Sequence, residues 1–363
     1  MANLEFSVPY NTDPGTLREI FRLKRLGENE IREIYLSGPQ EYSGAGRVMP
    51  KSDMGQFIEI VDRINKEGIR VNLILNSTCE GGNWYSPDVL RSTIEYLRQM
   101  YEEHGVEAVT IANPIYIQEI RQRFPDIEIC ASVLGDIDCL QKAVIYSAAG
   151  ANVITPDVNI NRDLKLLKQI KEATKAELKL MVNEGCLYRC PFRKFHFNYV
   201  SHQSKELSVK HEDYVAGNHR FLLNCLGISI WDNSQILRSC WIRPEDTGKY
   251  SEITNFFKIV GRDIPRNAII NTIKAYLKEA WDGDLFDILY SSLKNFSIGC
   301  EAHLDNKSLD KYKFFEKVTS CDNNCSQCGY CQELARKLIR FGIPKEEVNQ
   351  IWSAYMSKTG RKI

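Results

Sequence analysis

Neither sign of charge prevails in this 363-residue chain. Lys+Arg and Asp+Glu number 47 each, so no net basic field draws nucleic acid or an anionic membrane to the whole surface. A local basic patch is compatible with that balance. No apolar run approaches the ~20 residues of a membrane span, and the opening MANLEFSVPYNTDPG has neither the basic nor the apolar region of a secretory signal. The chain is therefore expected to be soluble and cytoplasmic, with no membrane span. Hydrolytic signatures are missing too: there is no H-E-x-x-H, no G-x-S-x-G, and no Cys–His pair separate from the cysteine clusters. No Gly-rich dinucleotide fingerprint follows the first β-rich run, which argues against an open Rossmann sheet. Solenoid repeats and low-complexity linkers are absent as well.

What is present is a rhythm. Short β-rich runs alternate with amphipathic segments of helical period. The runs lie at 4–10, 30–38, 69–78, 106–114, 127–135, 151–158, 176–185 and 256–262. Between them stand stretches such as DMGQFIEIVDRINKEG, opened by an acidic residue and closed by Gly. Eight strand–helix units predict an α/β fold, a (β/α)8 TIM-like barrel over residues 1–281. The rhythm breaks once. Residues 186–255, between the seventh and eighth strands, form an insertion far longer than the ~2–6 residues of an ordinary βα loop, and such insertions on the C-terminal face are usually functional. Residues 282–363, beginning with LFDILYSSLK, read as a small helical, cysteine-rich appendage.

Twelve cysteines stand in the chain. A sequence of this length without an export signal needs no disulfides, so reduced thiols and metal ligation are the expected use. Cys321, Cys325, Cys328 and Cys331 lie in CDNNCSQCGYC, spaced C-x3-C-x2-C-x2-C. Four thiolates so close can converge on one iron–sulfur cluster or on Zn²⁺, and the spacing does not choose between them. A second constellation follows the seventh strand in EGCLYRCPFRKFHFNYVSH, with Cys186 and Cys190 there and Cys225 and Cys240 later in the insertion. These are either ligands over the barrel mouth or small buried side chains.

Glu184-Gly185 leading into Cys186, then Cys190 and Arg193, a late Cys240, and FKIVGR followed by a helix with Tyr276 resemble the collagenase-like peptidase family, U32. Members carry a closely related K-I-E-G-R strand, where this chain has Val260 for the acidic residue. The resemblance implies a barrel whose four cysteines, here Cys186, Cys190, Cys225 and Cys240, hold a 4Fe–4S cluster; the C-terminal quartet lies outside the family's core pattern, and its own spacing makes it the site of a second cluster or of zinc. The family name implies a peptidase. Better understood relatives imply dioxygen-independent hydroxylation of an organic or RNA substrate, with prephenate as the oxygen source and heteromeric protein partners. An iron–sulfur oxidoreductase of this hydroxylase-like kind is the leading expectation; a peptidase, and a noncatalytic iron–sulfur partner or electron-relay protein, are the alternatives.

Barrel enzymes carry their chemistry at the C-terminal ends of strands. That rule selects Asn76, Asn113 and Asp157 as substrate contacts, joined by Arg193 from the insertion, although Asn and Asp there also cap helices and turns. Glu184, beside the first insertion thiol, is the proton-transfer candidate, or an ion-pair partner of Arg262. Lys258 and Arg262, four residues apart, point to one side of the last strand and suit a small anionic ligand such as a carboxylate. The alternative is an ion pair with Asp157 or Glu184. His196, nearest the C-x3-C turn, is the favoured acid–base histidine among those of the insertion, which include His211 and His219.

Overall fold

The computed structural model describes residues 3–40, 42, 44–205, 211–291 and 302–341, together with 346, 347, 350 and 353. Cys300, the side chains of His211 and His219 and most of 345–358 lie outside the described residues. Eight parallel strands, β1 (Glu5–Pro9), β2 (Asn29–Ser37), β3 (Arg70–Leu75), β4 (Ala108–Ile111), β5 (Glu128–Ala131), β6 (Val153–Ile154), β7 (Glu177–Met181) and β8 (Phe256–Lys258), pair in chain order. Pairing of β1 with β8 through Ser7 and Lys258 closes the circle, so the (β/α)8 barrel is observed. A short strand at Arg25–Leu26 adds an antiparallel hairpin to β2.

Crossover helices follow the strands: α1 (Pro14–Arg22), α2 (Met54–Lys66), α3 (Pro87–His104), α4 (Pro114–Arg123), α5 (Leu140–Ala149), α6 (Leu164–Thr174) and, after β8, α10 (Arg266–Leu277). Five of these seven helices start at a side-chain cap. The Asp13, Asp53, Ser86, Asn113 and Asp163 side chains each accept a first-turn N–H, satisfying a donor the helix itself leaves orphaned. One continuous core, from Leu4 to Leu277, fills the space between strands and helices.

The lumen is not wholly apolar. Glu33 and Lys179 form an ion pair of 2.6 Å with no exposed surface on either side chain. Ser7 Oγ donates to Glu33 at 2.5 Å, Asn72 Nδ2 donates to both of its carboxylate oxygens, and Thr110 donates to Asn72. A buried charge is tolerated only when its partners are this complete. At the N-terminal rim, Arg32 binds the first residues of three strands, Glu5, Glu128 and Glu177, and lies over Phe256.

The long excursion between β7 and β8 contains α7 (Arg193–Lys205), α8 (His211–Trp231) and α9 (Ser234–Arg238). Its apolar side joins the C-terminal segment in a second core, where Leu226, Leu237 and Trp241 meet Leu285, Phe314 and Leu334. LFDILYSSLK departs from its expected helix. Among its described residues, 285–291, Leu285–Asp287 form a single 3-10 turn, and the chain then runs beside the end of β7, with Tyr290 exchanging backbone hydrogen bonds with Asn183 and Gly185. That pairing satisfies backbone groups at the barrel mouth, which a helix would have left open. Beyond it lie α11 (Phe314–Thr319), α12 (Cys325–Cys328) and α13 (Tyr330–Leu338).

Candidate active site at the barrel mouth

The C-terminal ends of β2, β3, β5, β7 and β8 surround a cavity of about 70 Å³. This accommodates the small end of a ligand and falls far short of the roughly 300–1,000 Å³ typical of drug-sized pockets. One wall is cationic. Lys258 Nζ stands 4.0 Å above the Tyr35 ring, and among the described residues no carboxylate is paired with it. Burial first, then the nearby Lys179 and Arg262, pull its pKa down to about 7. Arg262 donates to Ser37 Oγ and lies over the same Tyr35 ring at 5.6 Å. Lys258 and Arg262 thus do face one space, although β8 ends at Lys258 and the chain turns through Gly261, whose φ of 128° is a conformation that L side chains rarely adopt.

Arg47 completes this wall, and no sequence signal had selected it. It lies over the Phe197 and Tyr290 rings and 3.7 Å from Asp263, whose carboxylate accepts from the Tyr290 hydroxyl. The loop bearing it is held by Asn76, whose Oδ1 accepts from Gly46 N while its Nδ2 donates to Ser132. A Cβ at Gly46 would stand 2.5 Å from the end of the Leu134 side chain, which would have to shift to admit it.

The opposite wall belongs to the insertion. Arg193 Nη1 donates to Glu184 at 2.5 Å, with both residues buried. Burial opposes the Glu184 charge, but Arg193 holds its pKa below the usual carboxylate range. Glu184 therefore pairs with Arg193, and neither Lys258 nor Arg262 has the acidic partner that the ion-pair alternative required. Asn113 and Asp157 lie outside the cavity lining: Asn113 caps α4 and donates to the Tyr85 hydroxyl, and Asp157 caps the turn at Val158–Ile160. His196 also stands outside that lining. Its Nε2 is 2.8 Å from Asn218 and its ring stacks on Phe221; burial takes its pKa down to about 4, leaving it neutral near pH 7.

The cysteines fall into two groups. Cys190 touches Cys225, and that contact lowers the Cys190 pKa while raising that of Cys225; Cys186 is close enough to both to be felt electrostatically. Cys240 stands elsewhere. Ser239 is tied to the Cys186 carbonyl, and the chain then turns so that Cys240 Sγ faces the carbonyls of Asn159 and Arg238. It lines a hollow of about 190 Å³ with Cys321, Cys325 and Cys331, and Cys328 lies in an adjoining hollow of about 280 Å³ with the same three. Arg238 borders both hollows and Arg162 the first. Among the described residues, no three His, Cys, Asp or Glu are close enough to grip an ion as they stand. As it stands the mouth quartet is not gathered on one point, Cys240 lining a hollow with the C-terminal thiols, and no step is routed through a cluster there. The C-terminal thiols, joined by Cys240, are a donor set of the right softness for iron–sulfur or zinc, provided the side chains close inward.

The sequence model of Peptidase family U32 matches residues 19–206. A curated relative, the "Uncharacterized protease MJ1657" of Methanocaldococcus jannaschii, is 31% identical over 345 residues, which are 92% of this chain and 99% of that protein. The chain belongs to peptidase family U32. A solved member, the U32 peptidase Mk0906, aligns over 58% of this chain and 80% of its own, with 22% identity and a TM-score of 0.49. The segment matching the U32 family includes Glu184, Cys186, Cys190 and Arg193, but ends before Lys258 and Arg262. No helix among the described residues is long and apolar enough to cross a membrane.

Proposed function

We propose that this U32 chain is an oxidoreductase that binds a small carboxylate at the barrel mouth and modifies an organic or RNA substrate without dioxygen. The observation that carries this reading is the cationic wall of Lys258, Arg262 and Arg47, in which the first two lack acidic partners among the described residues. Such a wall is complementary to an anion, and Arg262 offers a planar fork to a carboxylate. The resemblance makes prephenate the natural candidate.

Cys240, Cys321, Cys325, Cys328 and Cys331 would hold a thiolate-ligated centre, and as iron–sulfur this centre supplies electrons to the modification. The chain's own residues do the rest. Arg262 and Arg47 orient the anion, Asn76 fixes the Arg47 loop, and the Glu184–Arg193 pair closes the facing wall. The peptidase reading rests on the family and on the relative's name. Against it, His196 is paired with Asn218, and Cys190 has a thiol rather than a base as its neighbour.

Iron and sulfide analysis with an electronic spectrum, made on anaerobically purified full-length protein, tests the redox part. Titration with prephenate tests the carboxylate, and incubation with peptides tests hydrolysis. Iron and sulfide with carboxylate binding support the proposal. Zinc alone removes the redox role, and peptide cleavage lost on changing Cys190 to Ser replaces the reading by the peptidase.

A further inference from the structure

Lys258 is the one buried lysine of the lumen whose ammonium the structure leaves without an acidic partner among the described residues. Its counterpart Lys179, two residues lower in the register between β7 and β8, is paired to Glu33. We propose that the Lys258 amine condenses with the carbonyl of a 2-keto carboxylate to form an imine, the carboxylate being seated on Arg262. This rests on the carboxylate reading above and adds a covalent role to it.

The geometry has three parts. Lys258 is on a barrel strand, 7% exposed, with Nζ against the face of Tyr35, so its amine is held at one place in the cavity. Arg262 lies over the same ring at 5.6 Å and lines the same cavity, which is of a size for a keto acid end rather than a peptide. The groups facing Lys258 are Lys179, Glu33 and Cys130 from within the lumen, Arg262 above it and the Tyr35 ring. Two of them are cations, and burial beside a cationic group is the arrangement that releases a lysine's lone pair near neutral pH.

The step balances without an oxidant. The lone pair on Nζ forms a bond to the keto carbon as the carbon–oxygen π bond breaks; the remaining carbon–oxygen bond then breaks as the nitrogen forms its second bond to that carbon, and the two amine protons leave with the oxygen as water. A proton taken from solvent leaves the product as an iminium. Positive charge on the iminium makes the adjacent carbon–carbon or carbon–hydrogen bond easier to break, which is what such an intermediate contributes to catalysis.

The test uses pyruvate and cyanoborohydride with the full chain, read by peptide mass mapping, alongside calorimetric binding of pyruvate without the reductant. The expected result is one reduced adduct on Lys258, forming faster as pH rises through about 7. Changing Lys258→Arg, which keeps the charge but removes the nucleophile, abolishes that adduct, and Arg262→Ala slows its formation by about tenfold to a hundredfold. Pyruvate binding with no adduct on Lys258 overturns the imine and spares the carboxylate site. No binding at all overturns both. The wild-type map carries the decision even if either variant fails to fold.

Discussion

Lys179 and Lys258 occupy the same barrel, on neighbouring strands, and have opposite environments. Lys179 has Glu33 at 2.6 Å, and that carboxylate is also held by Ser7 and Asn72. Burial alone would discharge Lys179, yet with Glu33 and the other anionic groups around it its pKa rises above the ordinary lysine value. Lys258, at the open end, has an aromatic face and cationic neighbours, and its pKa falls. The lower lumen completes its hydrogen bonds internally, as a structural layer must. The upper lumen leaves positive charge unanswered, which costs stability unless a ligand supplies the missing anion.

The largest expected effect breaks the sealed layer. Lys179→Met strands Glu33 as an unpaired buried charge and should cost roughly 3–5 kcal/mol in denaturant unfolding. The double variant Lys179→Met, Glu33→Gln should recover part of that loss, because the stranded charge goes with its partner. If the single variant is as stable as the parent, the two lumen layers do not differ in the way described.

Lys258→Met should move stability the other way. The folded-state pKa is below the ordinary 10.5, so the unfolded chain binds more protons between about pH 7 and 10.5. Parent stability therefore rises with pH across that window. The gain from Lys258→Met is largest below pH 7 and vanishes towards pH 10.5. The same variant should lose carboxylate binding, so stability and ligand affinity separate at this one position.

His196 gives a smaller effect of the same sign. Its pKa is lowered from 6.5 to about 4, chiefly by burial, so protonation costs stability as pH falls between those values. His196→Phe keeps a ring on Phe221 and should flatten the fall of stability with acid in that window. Carboxylate binding should be unchanged, because His196 is outside the cavity lining.

The barrel was legible because its strand runs are separated by caps and glycines that end one element and start the next. Lengths were less so. In ANVITPDV the strand proper is Val153–Ile154, with Asn152 N and Thr155 N bonding to β5 at its two ends; Pro156 then has no N–H to continue the ladder and Asp157 turns its side chain to a cap. Glu33 went unremarked inside EIREIYLSG, although a carboxylate at a buried strand position was itself a sign of an internal partner. Arg47 and Tyr290 reach the mouth from segments that no strand-end rule covers. The glycines flanking Ala45 were the available signal for the first; for Tyr290, the helical reading of its segment concealed it. The thiol spacing identified donors, but only tertiary packing set Cys240 beside the C-terminal quartet.

The smallest prediction concerns Asn113, a strand-end residue that chemistry by position alone would place with Lys258. Its Oδ1 accepts from Ile115 N at the start of α4, and its Nδ2 donates to the Tyr85 hydroxyl. Loss of an N-cap side chain leaves a first-turn donor unsatisfied, at about 1 kcal/mol. Asn113→Ala should therefore lower unfolding stability by about that amount, and Asn113→Asp should restore most of it, because a carboxylate caps as well and complements the helix dipole. Neither should change pyruvate or prephenate affinity, since the side chain is committed to α4 and Tyr85. If Asn113→Ala weakened carboxylate binding as Arg262→Ala does while leaving stability intact, the active wall would extend across the mouth to β4, and the division between capping and binding strand ends would fail there.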